Sequence, residues 1–398
     1  MYKIGIDARL YSQTGIGVYL RNLLYYLEKI TKREVLFYIY LLTDDYNKVK
    51  FTNKFFIKRL VHSRWHTVSE QVHFVKTIYQ DNLDLMHFTY FSYPVLYKRK
   101  FIATIHDTTP LIFKTGKAST RNPLLYEIKF RAFQFIISQQ LKNARLVITP
   151  SKTVKKQLLD IYGTGYKNKI KPIYEGVDYE LKDVERRHSG KRPSENEGAR
   201  PESRQRFWSR PTIRRTPQND SRLTKPFFIY VGNFYPHKNI ENLLMAFAKV
   251  KTDAKLMLIG PDDFFAKRLY RYIDITILDR VIFYHNPSRE DLLFFYKNAL
   301  ALIHPSLSEG FGLPLVEAVY FNLPIIASNI EVFTELLNKK YISFDPLSIV
   351  DMTEKINFFL QKKQKPRYGN LLNKFSFENL TNKTFNLYQQ IIFKQKED

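Results

Sequence analysis

The sequence predicts an α/β fold of two doubly wound domains, and three observations carry that prediction. Apolar runs of strand length alternate with stretches of helical apolar period through most of the 398 residues. Two strand-to-helix turns carry paired glycines, Gly15 with Gly17 and Gly310 with Gly312. The alternation stops once, at residues 182–222, and then restarts with the same design.

In the first half, KIGIDA (3–8) reads as a short strand. A glycine turn with Gly15 and Gly17 follows, then VYLRNLLYYLEKI with apolar residues at helical spacing. VLFYIYLLT (35–43), LDLMHFTYF (83–91), FIATIHD (101–107) and ARLVITPS (144–151) read as buried strands, with a long helix at 121–143. Ser151 is placed to cap the next helix at its N-terminus and Gly163 to end it. IKPIYEGVD (170–178) closes this half as a strand and turn. In the second half FFIYVG (227–232), KLMLIG (255–260), VIFYH (281–285), ALALIHP (299–305) and LPIIAS (323–328) read as strands, with helices between them and from about 348 onward. Parallel sheets of this kind bind ligands beyond the C-terminal ends of their strands. The domains are accordingly set at 1–178 and 227–398, with a cleft between them, a linker at 179–226, and a last helix that can return to the first domain.

Composition sets the bounds. Hydrophobic residues make up 44%, enough for two full cores, and there is no cysteine, which removes disulfides and thiolate chemistry. No apolar run reaches the length of a membrane span, and MYKIGIDARL lacks the apolar core of a signal peptide, so the expected location is the cytoplasm. The net charge of +25 favours anionic partners without choosing among them. Residues 182–222 hold 12 basic residues, ten of them arginine, against six acids and few apolar side chains, so disorder is expected there.

The most informative stretch is HPSLSEGFGLPLVEA (304–318). It leaves a buried strand, turns at Gly310 and Gly312, and enters a helix after Pro314. Such a turn aims backbone N–H groups and a helix dipole at open space, where a phosphate can sit. Glu309 and Glu317 flank it. Carboxylates repel phosphate but suit hydroxyl groups, which points to sugars on either side of a diphosphate. Asp44 with Asp45 and Asp262 with Asp263 are acid pairs at strand ends; they read as turn residues, and neither a metal nor another cofactor is expected.

These motifs together resemble the family 4 glycosyltransferases of the GT-B fold. GIDARLYSQTGIGVYL, the TIHD at 104–107, ITPS, YEGVD, YVGNFYPHKNIENLLMAF, HPSLSEGFGLPLVEA and LPIIAS occur in that family's order, and only the arginine-rich insert falls outside the likeness. The resemblance implies a nucleotide-diphosphate sugar as donor. It implies that Lys238 neutralises the diphosphate beside Asn233, that Glu317 holds the ribose hydroxyls, and that Glu309 contacts the transferred sugar. Backbone N–H groups at Gly310, Phe311 and Gly312 would bind sugar and phosphate oxygens, and Gly15 and Gly17 would let the first loop approach the ligand. His106 is implied as a hydrogen-bond donor to the donor sugar, and transfer is implied to retain the anomeric configuration through an oxocarbenium-like transition state. One departure is Asn322, where the family has glycine; asparagine tolerates a left-handed backbone.

The Gly-Asn form at 232–233 favours GDP-mannose, with a glycan or lipid-linked acceptor of cell-surface polysaccharide or lipopolysaccharide synthesis. KFFIKR (54–59), KRKF (98–101) and the basic helix at 121–143 suggest docking on an anionic membrane surface. Two competing readings are a nucleic-acid-binding protein led by the arginine-rich arm and a transferase inactivated by its insert. No nucleic-acid module is present, so no nucleic acid is expected as a partner.

Overall fold

The computed structural model describes residues 1–31, 34–113, 123–189, 225–362 and 368–393, together with Pro217 and Pro366. They form two compact units. The first holds residues 1–175 and the C-terminal helix Phe377–Phe393; the second runs from Gly176 through the helix Tyr179–His188 and on to Phe375.

The first unit is built on seven strands: β1 Tyr2–Asp7, β2 Val35–Leu41, β3 Phe56–Leu60, β4 Leu85–Phe88, β5 Phe101–Thr104, β6 Leu146–Thr149 and β7 Ile170–Pro172. All pair in parallel, in the order β3-β2-β1-β4-β5-β6-β7. Strands such as FIAT of β5 are buried along their whole length because helices cover both faces of a parallel sheet. The core combines Phe88, Tyr93, Phe101, Ile137 and Leu158. Ser151 accepts from the backbone of Val154 at 3.1 Å, and Gly163 ends the helix Lys152–Tyr162 at φ 96°, as their residue types predict. The helix Phe377–Phe393 packs on Ile16–Ile30, and Tyr388 reaches 2.7 Å from Nδ1 of the buried His87.

The second unit has six strands: β8 Phe227–Val231, β9 Lys255–Gly260, β10 Val281–His285, β11 Leu302–His304, β12 Ile325–Ser328 and β13 Ile342–Phe344. They too are parallel, in the order β10-β9-β8-β11-β12-β13. Asn322 takes the left-handed conformation at φ 54°, so the glycine departure costs little at this helix end. Gly260 is required for packing: a Cβ there would stand 2.8 Å from the ring of Phe234 and collide with the carbonyl of Gly232.

Two segments carry structure that their charge conceals. KFFIKR runs into the edge strand β3, and two of its cations also have internal partners. Lys58 donates to the carbonyls of Tyr46 (2.6 Å) and Val49 (2.9 Å), and Arg59 pairs with Asp81 at 2.8 Å. The second is residues 182–222. Their first seven residues complete the helix Tyr179–His188, capped by Asp178 and packed on Arg289–Asn298 through the buried Leu181 and Val184. Leu181 and Val184, three residues apart, give the helix its buried face, and the count of charges hides it. Lys297 reaches Glu185 at 3.3 Å from the facing helix. Apart from Pro217, residues 190–222 lie outside the described residues.

Candidate functional site

Sheet order reverses between β8 and β11, so the loops leaving these neighbouring strands diverge from one point. The loop after β8 carries Gly232, Asn233, His237 and Lys238; the loop after β11 carries Ser306, Glu309 and Gly310. The geometry therefore brings together residues 71 positions apart. Nζ of Lys238 lies 2.5 Å from Oε1 of Glu309, with both side chains nearly buried. The same oxygen accepts from Ser306 at 2.8 Å and faces Nε2 of His304 at 3.1 Å.

Each partner has a local reason for its place. Asn239 sits left-handed at φ 62°, and its side-chain amide donates to Pro305 O (3.1 Å) and Pro346 O (2.7 Å). It thus ties the lysine loop to the glutamate loop, and Leu307 N donates to His237 O at 2.8 Å beside it. His304 ends β11 stacked on Tyr230 of β8, ring centroids 5.5 Å apart. Burial opposes the ionisation of Glu309, but Lys238 and the donated hydrogen bonds win and hold its carboxyl well below the usual range. Burial lowers His304 as well, so its Nε2–H is the donor to Glu309 and its Nδ1 is a buried acceptor.

Around these two loops, three of the buried polar atoms without a partner among the described residues lie close together in sequence and topology: Asn233 Oδ1, His237 Nδ1 and His304 Nδ1. Buried groups of this kind are normally satisfied, so a ligand group or water is the partner these three can take. Burial and the adjacent Lys238 hold the His237 ring down to about 4, which leaves it neutral.

Gly312 caps the helix Leu313–Tyr320 at φ 103°, and a Cβ there would press on Leu315 (3.0 Å) and Phe333 (3.2 Å). Glu317 lies on that helix, buried, and its Oε2 accepts from Tyr296 at 2.6 Å. Burial pushes its carboxyl up to about 7, against the lowering effects of Tyr296 and Arg289. Arg289 is itself clamped by Asp178 (2.5 Å) and Glu180 (3.1 Å).

In the first unit, Gly15 caps the helix Ile16–Ile30 at φ 66°, in open space. Gly17 lies where a Cβ would meet Tyr11 O at 2.6 Å, so its smallness serves the packing of the loop. His106, two residues beyond β5, is buried, with Nδ1 3.2 Å from Glu175 and Nε2 3.0 Å from the carbonyl of Thr89. Both ring nitrogens have partners in their own unit, so a contact with a sugar requires one to be exchanged. The acid pairs are structural where described: Asp45 meets Ser12, and Asp263 caps the helix Phe264–Leu269. No cluster of three His, Asp or Glu suited to a metal occurs among the described residues.

Sequence reading missed Ser306, Tyr296, Arg289 and Glu175. Ser306 lies three residues before Glu309 in the same motif, and Glu175 lies inside YEGVD, so both carried a signal. Tyr296 and Arg289 carried none, because only packing of Arg289–Asn298 brings them to Glu317.

Comparison with known proteins bears on the family and the fold. A family model described as "Glycosyltransferase Family 4" matches residues 14–181, and "Glycosyl transferases group 1" matches 212–371. The O-antigen chain mannosyltransferase RfbU of Salmonella typhimurium is 27% identical over 289 residues, 71% of each chain. The serotype-specific mannosyltransferase WbdA of Escherichia coli is 30% identical over 156 residues, 37% of this chain but 19% of that protein. Among solved structures, the sucrose-phosphate synthase of Thermosynechococcus elongatus aligns with a TM-score of 0.72 at 17% identity, covering 98% and 99% of the two chains. Anabaena HepE, solved with UDP and glucose, aligns at 0.67 with 15% identity, covering 98% and 100%. The two sheets are those of the GT-B fold, and the chain belongs to the family 4, group 1 glycosyltransferases.

Proposed function

We propose that the protein transfers a hexose, with retention, from a nucleotide-diphosphate sugar to a glycan or lipid-linked acceptor in surface polysaccharide or lipopolysaccharide synthesis. The observation that carries this reading is the meeting of Lys238 and Glu309 at the reversal of sheet order. A cation and a carboxylate at one point match a diphosphate beside a sugar. Lys238 exchanges part of its contact with Glu309 for diphosphate oxygens, which stabilises the leaving group. Glu309, kept ionised, accepts from sugar hydroxyls. Glu317 accepts from the ribose, and the N–H groups around Gly310, Phe311 and Gly312 complete the cradle. Asn233 offers its partnerless Oδ1 to the same ligand. His106, in the first unit, donates to a sugar hydroxyl after giving up its contact with Thr89 or Glu175, and Gly15 and Gly17 let the first loop approach the ligand. No metal or cofactor is needed, because Lys238 and the helix dipole supply the positive field.

The mannosyltransferase relatives and the Gly-Asn form of the lysine loop support GDP-mannose as donor. The cytoplasm, at the inner face of the membrane, is the place where such donors and lipid-linked acceptors meet; among the described residues no helix is long and apolar enough to cross a membrane.

The test is incubation with a panel of nucleotide sugars and analysis of released or transferred sugar by NMR. GDP-mannose turnover with the α configuration kept in the first-formed product supports the proposal. An inverted product, or no turnover of any donor in the panel, overturns it.

A further inference from the structure

The first unit carries a second feature at the opposite edge of its sheet, where the strands begin. A hollow of about 620 Å³ is lined by the segments entering four adjacent strands, β4 to β7. Lys98, Arg99 and Lys100 precede β5, Lys142 and Arg145 precede β6, and Lys169 precedes β7. The one acid in the lining, Asp84, accepts from the backbone N–H of Lys3 at 2.8 Å.

Six cations thus converge on one concavity. Some cations elsewhere on the described surface are paired, Arg59 with Asp81, Arg268 with Glu241 and Lys297 with Glu185. By contrast, no carboxylate lies within ion-pair distance of Lys98, Arg99, Lys142, Arg145 or Lys169 among the described residues. Lys169 is half-buried, tied to the carbonyl of Lys142 at 2.8 Å, and its ammonium is lowered by burial and by Arg145. Charges of one sign gathered in a recess raise the local potential and favour a multiply charged anion.

We propose that this hollow binds a phosphate-bearing anion with at least two negative charges, at a site separate from the donor loops of the second unit. Lysines serve as point charges and Arg145 offers a planar fork that matches phosphate oxygens, while Arg99 holds one N–H on Asn82 Oδ1 (2.7 Å) and Lys98 donates to Val95 O (3.1 Å), so these two add charge to the hollow from fixed positions. A recess of this volume takes a diphosphate or a phosphorylated headgroup, and its mouth is open to either a free ligand or a lipid surface. The proposal does not rest on the identity of the sugar donor.

The experiment compares the full chain with Lys142→Glu/Arg145→Glu and with the charge-matched control Lys249→Glu/Lys251→Glu. One arm measures sodium pyrophosphate by calorimetry with the nucleotide site saturated by GDP. The other measures co-sedimentation with vesicles containing phosphatidylglycerol. Binding in either arm that weakens at least tenfold in the hollow variant and less than twofold in the control supports the site. Loss in the pyrophosphate arm identifies a free ligand; loss confined to the vesicle arm identifies a headgroup. Equal weakening in both variants, or no binding by the wild type in either arm, overturns the proposal. Circular dichroism melting of the variants separates lost binding from lost folding.

Discussion

Nζ of Lys238 and Oε1 of Glu309, 71 residues apart in the chain, stand 2.5 Å from each other in a nearly water-free recess. A pair this buried is stable only while both members remain. Lys238→Met leaves Glu309 with Ser306 and His304 and should lower stability by about 3 kcal/mol in urea unfolding. Glu309→Gln should destabilise less, because the amide oxygen still accepts from Ser306. The pH dependence has a fixed sign. The native carboxyl of Glu309 sits below its unfolded value, so its stabilisation is complete at neutral pH and fades as pH falls through the native value. Comparison of wild type and Glu309→Gln between pH 7 and pH 3 should show the gap narrowing as the pH falls; a constant gap would refute the ion-pair assignment.

Glu317 carries the opposite sign. Its native carboxyl is raised to about 7 by burial, so its proton is held in the native state after the unfolded chain has lost it. Its contribution is full below the unfolded pKa and disappears as pH rises through about 7, a change of roughly 3 kcal/mol. Glu317→Gln should therefore stabilise the protein at pH 8 relative to pH 5 while losing nucleotide affinity. Thermal unfolding of the two proteins at both pH values checks this, and equal differences at the two pH values would contradict it.

Nucleotide binding should depend on pH through the same residue. An ionised Glu317 accepts two ribose hydroxyls, whereas a protonated one offers a weaker acceptor. GDP affinity, followed by calorimetry, should rise between pH 6 and pH 8 severalfold more in the wild type than in Glu317→Gln, whose remaining slope is that of the terminal phosphate of GDP itself. Equal slopes in the two proteins would mean that Glu317 does not touch the nucleotide.

Gly260 has no contact with the proposed ligand yet controls its loop. A methyl group there would meet Gly232 and Phe234 at the start of the lysine loop. Gly260→Ala should destabilise by about 2 kcal/mol and weaken GDP binding, because the loop that must move carries Asn233 and Lys238. Stability and affinity both unchanged would show that the β9 end and the loop are not packed as described.

The fold was legible because buried parallel strands are continuous apolar runs, and FIAT, KLMLIG and VIFYH read as strands directly. The glycine-flanked carboxylates were legible because their motif is local. KFFIKR was not, since an edge strand carries cations whose internal carbonyl partners lie on another segment. The helix Tyr179–His188 was hidden by its charge, with an apolar face of two residues. The triple acceptance at Glu309 was half visible: Ser306 and His304 are neighbours in sequence, whereas Lys238 arrives by way of sheet order. The pairing of His106 with Glu175 spans 69 residues and had no local signal that joined them.

The central claim, that the loops after β8 and β11 form one nucleotide-sugar site, is tested most directly by calorimetric titration of GDP into wild type, Lys238→Ala and Glu317→Ala. Binding by the wild type that weakens at least tenfold in each variant, both still folded, is the expected result. GDP binding retained at wild-type strength in both variants would contradict the site.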